Sequence, residues 1–351
     1  SNQATANGGA IDLDLGGGGR FSIQQSTFTN NSANAQGGAI SLGNGSTVIV
    51  HESLFENNFA GLGRGGAIAS FFAPLDIDDS IFRGNTVSET LTQGLGGAIA
   101  TESDLTLTDS LLEGNRAFSG GAIYTDGSSS SFISKTTLDN NYATDIGGAI
   151  AFEQDNNLTI DRSTISNNES AAVGGGLAVN ATPNSTVDIT NSTFSGNISS
   201  SGGAGLSILS QGVTSLTSAT ITNNQARTNG GGPSNNAGGI AISSGATVNL
   251  TGSIVADNIA PTNPDIQGVI VSGGRNIVKT RGSSTGYIAS DHADGTDPRL
   301  NVLADYGGPT FTHALLMGSP AHDGGHGIGQ DQRGVSASGP RDIGAYERIQ
   351  S

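Results

Sequence analysis

The sequence contains no cysteine and no tryptophan, and aromatic residues make up only 5% of its 351 residues. The absence of cysteine excludes disulfide bonds, thiolate metal sites and cysteine nucleophiles. Basic residues are also scarce, since 14 Lys and Arg stand against 30 Asp and Glu and leave a formal net charge of -16. A field of that sign repels nucleic acid and attracts cations. No apolar run approaches the roughly 18 residues of a membrane span. We therefore expect no nucleic-acid partner and no membrane-spanning segment in this chain.

Glycine is abundant instead, with 55 residues, and much of it falls in a repeated motif. The motif is GGAI or a close variant, and between its copies lies an apolar residue followed three positions later by Asn. The closing apolar residue of the first motif is Ile11, Ile40, Ile68, Ile99, Ile123, Ile150, Leu177, Leu206 and Ile240. The spacing between copies runs from 24 to 34 residues. A recurrent period in this range is typical of a solenoid.

Each repeat also contains short stretches in which apolar and polar residues alternate, such as Leu105-Thr106-Leu107. Alternation at period two indicates strands, and Gly, Asn, Ser and Asp clusters between the stretches indicate turns. The sequence therefore predicts an all-β fold, a right-handed parallel β-helix solenoid of about nine to ten three-strand coils with an irregular C-terminal cap. We assign the repeats to residues 1–260, and the last coil and the cap to residues 261–351.

Stacking of coils brings equivalent residues within about 4.8 Å of each other. We expect one internal ladder of aromatic rings and one of side-chain amides that hydrogen-bond along the stack. The predicted ladder residues are Phe28, Phe55, Phe82, Asn31, Asn58 and Asn85.

Aligning the coils also produces two columns of acidic residues. The first column precedes the Ser or Thr of an S-x-F segment, and the second follows the GGAI isoleucine by three residues. The members are Glu52, Asp79 and Asp109 in the first column and Glu102, Asp126 and Glu153 in the second. Carboxylates one coil apart repel each other unless a cation bridges them, and calcium accepts several oxygen ligands in flexible geometry. Calcium is therefore the candidate cofactor for these two columns. The alternative is that these side chains are solvated and keep the protein soluble.

The GGAI and F-x-x-N motifs resemble the repeat of the polymorphic outer membrane protein family of bacterial surface proteins, over about residues 1–260. The tail segments DPRLNVLADYGGPTFTHALLMGSPAHDGG, DQRG and RDIGAYE resemble the choice-of-anchor Q domain, over roughly residues 264–347. The first resemblance implies a right-handed β-helix passenger domain that is extracellular or held at the bacterial cell surface. The second implies a closing domain in which Asp331, Arg333, Asp342 and Glu347 pin the last segment.

We predict an adhesin or a structural rod that displays loops, with the insertion around Thr228–Asn236 as the displayed loop. Its partner would be an extracellular polysaccharide or a host or neighbouring surface. One alternative is a filament or surface-layer subunit, because Ser1 begins part-way through a coil and its open end could stack on a partner. From that start we also expect the chain to be a piece of something longer.

The alternative from another class is a calcium-dependent polysaccharide lyase or glycoside hydrolase. Its base would come from Lys135 or Arg162, which follow the acids of the first column. We assign no catalytic residue, because two opposed carboxylates need a separation that sequence does not give. His322-Asp323-x-x-His326 has the residue types of a metal site, but it lies in a glycine-rich loop.

Overall fold

A computed structural model describes residues 1–349, except 15, 17–18, 44, 46, 90–91, 128, 155–156, 229–236 and 328. Every regular element of this part is a β-strand. Ten coils stack into a parallel β-helix, which confirms the predicted fold class. The predicted display loop lies outside the described residues from position 229 to position 236, so only Thr228 of it is placed.

Four parallel sheets, here called A to D in chain order within a coil, run the length of the stack. Sheet A has the strands Gln3–Ala4, Ser32–Ala33, Phe59–Ala60, Thr86–Val87, Arg116–Ala117, Tyr142–Ala143, Glu169–Ser170, Ile198–Ser199 and Gln225–Ala226. Sheet B has Ile11–Leu13, Ile40–Leu42, Ile68–Ser70, Ile99–Thr101, Ile123–Thr125, Ile150–Gln154, Leu177–Ala181, Leu206–Ile208, Ile240–Ile242 and Ile266–Gln267. Sheet C has Arg20–Gln24, Thr47–His51, Leu75–Asp78, Leu105–Thr108, Ser130–Ser134, Asn157–Asp161, Thr186–Thr190, Val213–Thr217, Thr247–Thr251 and Ile270–Gly274. Sheet D has Thr27–Thr29, Leu54–Glu56, Ile81–Arg83, Leu111–Glu113, Thr137–Asp139, Thr164–Ser166, Thr193–Ser195, Thr220–Thr222, Ile254–Ala256 and Ile277–Val278.

A full coil thus has four strand segments, where the sequence analysis predicted three. The additional segment is the sheet A strand, which follows the recurrent Asn of each repeat and is two residues long. Two residues are too few to show a period-two pattern, so alternation could not reveal this strand. Its backbone pairs with the coils on either side, as in the register of Ser32 with Phe59.

The backbone conformation and tight packing of the turns explain why Gly and Asn recur in the two repeated motifs. The residue between sheets C and D has a positive φ, near 46° at Glu52 and 45° at Asp79, and Asn57 before the ladder asparagine has a φ of 55°. Asn and Gly adopt this left-handed conformation more readily than most residues. The second glycine of each GG pair is required for a different reason, because a Cβ on Gly66 would lie 2.1 Å from the carbonyl oxygen of Gly97 in the next coil.

The interior contains the two predicted ladders as contacts between successive coils. The ring centroids of Phe28 and Phe55 are 4.8 Å apart, and those of Phe55 and Phe82 are 4.7 Å apart, with nearly parallel planes. In the amide ladder, Asn31 donates from its backbone N–H and from Nδ2 to the Oδ1 of Asn58, at 3.0 and 2.9 Å. Asn58 repeats both bonds to Asn85. Each amide therefore accepts from the preceding coil and donates to the following one.

Both polar ladders end on carboxylates that the sequence analysis missed. The last asparagine, Asn258, donates from Nδ2 to Asp265 at 2.9 Å. In a second polar ladder, a backbone N–H donates to a side-chain oxygen of the next coil, as from Ser53 to Ser80 Oγ at 3.1 Å. At its end Ser253 N–H donates to Asn276 Oδ1, and Asn276 donates from Nδ2 to Asp291 at 3.0 Å. A carboxylate fits the end of such a chain because it accepts hydrogen bonds without having to donate one. Burial raises the pKa of Asp265 to about 6, against the hydrogen bonds from Asn258.

The C-terminal residues fold back along the outside of the solenoid. Leu300–Ala304 and Thr312–Leu315 form an antiparallel hairpin. Together with the residues that follow it, this hairpin lies against sheet D of the later coils, and we call residues 300–349 the C-terminal cover. Threonine side chains of the sheet bond to it, as between the Oγ1 atoms of Thr193 and Thr312 at 3.0 Å. The cover thus hides the later half of sheet D and leaves the earlier half open.

Candidate ligand-binding groove

The open half of sheet D forms a groove that runs along the solenoid axis. Three adjoining hollows of about 350, 660 and 560 Å³ make up this groove, and neighbouring hollows share lining residues. We call it the sheet D groove. Its principal lining residues are Glu52, Leu54, Asp78, Asp79, Ile81, Asp109, Leu111, Glu113, Lys135, Thr137, Asp139, Leu303, Pro309 and Phe311.

The floor of the groove is an apolar stripe formed by one outward position of sheet D. In each strand the middle residue points into the core, as Phe55 and Phe82 do, so its neighbours point outward. The outward residue before the middle one is Leu54, Ile81 or Leu111 in three successive coils. Ile81 remains 38% exposed. A short stripe of aliphatic surface is therefore available to a ligand.

The first acidic column forms one side of the groove. Glu52, Asp79 and Asp109 occupy the left-handed turn between sheets C and D, which directs their side chains outward next to the apolar stripe. The Nζ of Lys135 lies 3.4 Å from Asp109 Oδ2, so the ammonium group partly neutralises that end of the column. Glu52 accepts a hydrogen bond from Gln25 Nε2 at 2.6 Å. The structure thus brings the first three predicted ligands to one surface.

The opposite side of the groove is mainly acidic and contains the guanidinium group of Arg83. Arg83 Nε lies 3.0 Å from Glu113 Oε2, and Arg83 Nη1 lies 4.0 Å from Glu56 Oε1. These are exposed ion pairs of neighbouring coils, each of which contributes at most about 1 kcal/mol. Arg83 neutralises only part of this side, because Glu56, Glu113 and Asp139 occupy the same position of neighbouring coils. Both sides of the groove therefore carry an excess of negative charge.

The C-terminal cover walls off one end of the groove. Phe311 is 53% exposed there, next to Pro309. The wall is anchored by Thr310, which donates to the carbonyl oxygen of Arg162 at 2.9 Å. It is anchored again by His313, whose Nδ1 donates to Asn301 O at 2.7 Å, so that Nε2 accepts from Ser195 Oγ at 2.9 Å. Burial lowers the pKa of His313, which favours the neutral imidazole that this arrangement needs.

The second acidic column lies elsewhere and already holds a cation of the protein itself. Arg64 forms an ion pair with Glu102, and its Nη2 lies 3.6 Å from Asp126 Oδ2. Glu153 accepts a hydrogen bond from Tyr124 Oη at 2.8 Å. Burial and the neighbouring carboxylates raise the pKa of that tyrosine, so it stays a donor. The guanidinium occupies the place that the sequence analysis proposed for calcium between Glu102 and Asp126.

Among the described residues, His322, Asp323 and Asp342 have metal-ligating atoms within 4.8 Å of one another. Asp342 already accepts hydrogen bonds from the backbone N–H groups of Asp323 and Arg348, both at 2.6 Å. These hydrogen bonds indicate that Asp342 connects separate segments of the C-terminal cover. None of the six predicted calcium ligands belongs to such a group of three within the described positions.

Comparison with known protein families matches residues 75–216 and, in an overlapping stretch, residues 134–285 to the right-handed β-helix region. The two stretches together cover more than half of the chain, and they confirm the predicted handedness. Residues 25–43 are similar to the Chlamydia polymorphic membrane protein repeat. No curated protein and no solved structure matches the chain. The part of the chain that the structure describes contains no helix with the length and apolar character needed to cross a bilayer.

Proposed function

We propose that this chain, which belongs to the right-handed β-helix family, is an extracellular or cell-surface adhesin that binds its partner in the sheet D groove. The similarity of residues 25–43 to a polymorphic membrane protein repeat supports the location. The observation that carries the ligand-binding role is the open half of sheet D. There, Leu54, Ile81 and Leu111 form an apolar floor beside a row of carboxylates, whereas the equivalent positions of later coils are buried.

The groove supports adhesion better than a purely structural rod. A rod needs an outer surface that keeps neighbouring molecules apart, which charged outward residues achieve. An aliphatic stripe flanked by charges is instead the composition of a recognition surface, with an apolar centre and a polar rim. The stack itself is rigid because each coil bonds to the next, so the groove is preformed and little ordering opposes binding.

The test is a binding assay with variants that fill the groove. Purified chain is applied to bacterial and host cell surfaces and to immobilised acidic and neutral polysaccharides. Ile81→Arg and Leu111→Arg place a bulky charge on the floor, and we expect each to reduce binding at least about tenfold by loss of apolar contact. Thr106→Arg, on the exposed face of sheet C, is the matched control and should bind like the unaltered chain. Equal binding by all variants would contradict the groove as the site.

A second candidate function is calcium-dependent cleavage of a polysaccharide. One observation favours it, because Asp79, Asp109 and Lys135 line one groove, as carboxylates and a base of such an enzyme would. We propose calcium only for Glu52, Asp79 and Asp109, since Arg64 occupies the second column. Incubation of the same polysaccharides with and without calcium tests it. Calcium-dependent cleavage that Lys135→Gln abolishes would establish the enzymatic function. A polysaccharide that stays intact would contradict it and leave adhesion as the proposed function.

We also infer that the tail is a choice-of-anchor Q-like closing domain. Support comes from one hydrogen-bond network among the residues of its motifs. Arg333 Nε donates to Asp331 Oδ2 at 2.8 Å, Glu347 N–H donates to the same oxygen at 2.9 Å, and Asp342 N–H donates to Glu347 at 2.9 Å. Asp331→Ala should make the cover sensitive to limited proteolysis while the solenoid stays intact. Unchanged proteolysis would contradict this role of the network.

A further inference from the structure

We propose that the sheet D groove binds an extended, positively charged polypeptide segment in which apolar residues alternate with Lys or Arg. This inference rests on the proposed function and names the chemistry of the partner. Three observations carry it: what covers the rest of the same sheet face, the charge of the groove, and the kind of apolar surface on its floor.

The covered half of sheet D shows which kind of molecule this face accepts. There, the occupant is the chain's own C-terminal cover, which meets the sheet through the segment Thr310–His313 and also through Gln332 and Ala345. Thr164 and Thr193 of the sheet bond to its backbone and side chains. The groove is the direct continuation of that face, since Pro309 and Phe311 line its last hollow. A polypeptide is therefore the occupant for which the structure already provides an example.

The groove differs from the covered half in charge. The hollows are lined by one ammonium group, that of Lys135, and by six carboxylates, those of Glu52, Asp78, Asp79, Asp109, Glu113 and Asp139. The guanidinium of Arg83 pairs with Glu113 at the edge and leaves the groove strongly negative. Complementary charge on a partner would steer its approach and favour it over neutral or acidic competitors. The partner that fits is cationic, and its binding should weaken with salt because these carboxylates are near the surface.

The floor favours a peptide over an aminated polysaccharide. In the open coils it consists of the aliphatic Leu54, Ile81 and Leu111, and the aromatic ring that lines the groove, Phe311, stands at its end. Flat rings supply large rigid contact area, whereas branched aliphatic side chains pack against other apolar side chains. A segment with Val or Leu between its basic residues would fill this stripe while its long basic side chains reach the carboxylates.

The length of the groove sets the length of the segment. Its lining extends over six coils, from Gln25 to Asn167, and five steps of about 4.8 Å give roughly 24 Å. An extended chain rises about 3.3 Å per residue, so roughly seven residues span the groove. Side chains on one face of such a segment repeat every 6.6 Å or so, against about 4.8 Å for the carboxylates. The flexible stems of Lys and Arg can absorb that mismatch.

The experiment uses a fluorescein-labelled nine-residue peptide of alternating Lys and Val, with fluorescence anisotropy as the readout. We expect the unaltered chain to bind it at low salt and to lose most of the affinity at 0.3 M NaCl, where the screening length is only about 6 Å. Asp79→Asn combined with Asp109→Asn should weaken binding about tenfold, because two charge contacts of the groove are removed. Thermal melting of both proteins verifies that the variant remains folded.

The matched control removes the same charge from other faces. Asp12→Asn combined with Asp188→Asn alters exposed carboxylates of sheets B and C. This variant should bind the Lys-Val peptide like the unaltered chain. An equal loss of affinity in both double variants would overturn the inference, because binding would then follow net charge alone. Equal affinity for a Glu-Val peptide would also overturn it.

A chitosan oligomer provides the comparison with a cationic polysaccharide. If it binds and the peptide does not, the peptide inference is wrong. Failure of this inference can be told apart from failure of the proposed function through Ile81→Arg. Suppose that the unaltered chain binds cell surfaces, that Ile81→Arg abolishes this binding and that the peptide does not bind. The adhesin function would then be supported and the peptide inference would be wrong. Peptide binding without any attachment to cell surfaces would support the peptide inference and contradict the proposed adhesin function.

Discussion

The amide ladder leads to a prediction that depends on a single nitrogen atom. Asn58 is fully buried and uses its Nδ2 to donate to Phe28 O at 2.8 Å and to Asn85 Oδ1 at 2.9 Å. Asn58→Asp keeps the shape of the side chain but puts a second oxygen where this nitrogen lies. That oxygen would face two acceptors, while the Oδ1 that receives both donors of Asn31 is retained.

The expected cost follows from those contacts. Two buried acceptors each lose one hydrogen bond, and Asn85 Oδ1 keeps only the bond from the backbone N–H of Asn58. At about 1–3 kcal/mol for each lost bond, the stability of the coil falls by about 2–6 kcal/mol. Even 3 kcal/mol lowers hydrogen-exchange protection roughly a hundredfold, since about 1.4 kcal/mol is a factor of ten. Hydrogen exchange is the appropriate assay because coils of a long repeat array need not unfold together. The affected amides should be those of the first three coils.

The effect should depend on pH with a definite sign. Burial raises the pKa of the introduced carboxyl above its unfolded value of about 4. The folded state then binds the proton more tightly, so stability is greatest below the unfolded pKa and is lost as pH rises through the folded pKa. The matched control is Asn57→Asp, one residue earlier in an exposed turn. Equal loss of protection in both variants, or none in Asn58→Asp, would refute the role of the ladder.

Three further changes test other parts of the fold. Gly66→Ala should destabilise the solenoid by several times the roughly 1 kcal/mol expected for Gly114→Ala, because the added Cβ meets a carbonyl oxygen in the first case and open space in the second. Unfolding of the unaltered chain should become easier as pH rises from about 4 to about 6, the range in which Asp265 ionises, and Asp265→Asn should weaken that dependence. Burial also raises the pKa of Asp342 and Glu347, which contribute the remainder. Limited proteolysis of the cover should accelerate as pH falls below about 6.5, because protonated His313 cannot accept from Ser195.

Each of these outcomes has a result that would contradict it. Equal melting temperatures for the two glycine variants would show that the close approach of the coils is relieved by small shifts. A pH profile that Asp265→Asn leaves unchanged would assign the dependence to other groups. His313→Gln should make cleavage of the cover independent of pH in the range where His313 titrates, and a retained dependence would remove the histidine from the explanation.

The sequence predicted those parts of the structure that every coil repeats. Residues equivalent to Phe55 and Asn58 occur at the same positions of successive repeats, and stacking then determines their neighbours. The ladders could therefore be predicted from the sequence. The sheet A strands could not be predicted, because a pair such as Ser32–Ala33 is too short for alternation to show. The fold class follows from the period alone, whereas the exact number of strand segments in a coil does not.

The acidic columns illustrate the limit of the same argument. Alignment of coils correctly places Glu52, Asp79 and Asp109 along one edge of a shared groove. It could not show that Arg64 lies between Glu102 and Asp126, because that arginine belongs to a turn whose length differs from coil to coil. The repeat identifies which residues of successive coils are stacked on one another. It does not identify the partners that loops of irregular length supply.

The sequence by itself determined the solenoid, its inward and outward positions and the excess of negative charge. Which surface of the solenoid remains open depends instead on the C-terminal cover. In the cover, Phe311 contacts Thr164 and Gln332 contacts Thr193 across more than one hundred residues of chain. The physical reason is that stacking couples each coil to its neighbours through a repeated pattern, whereas contacts between a non-repeating tail and distant coils follow no period.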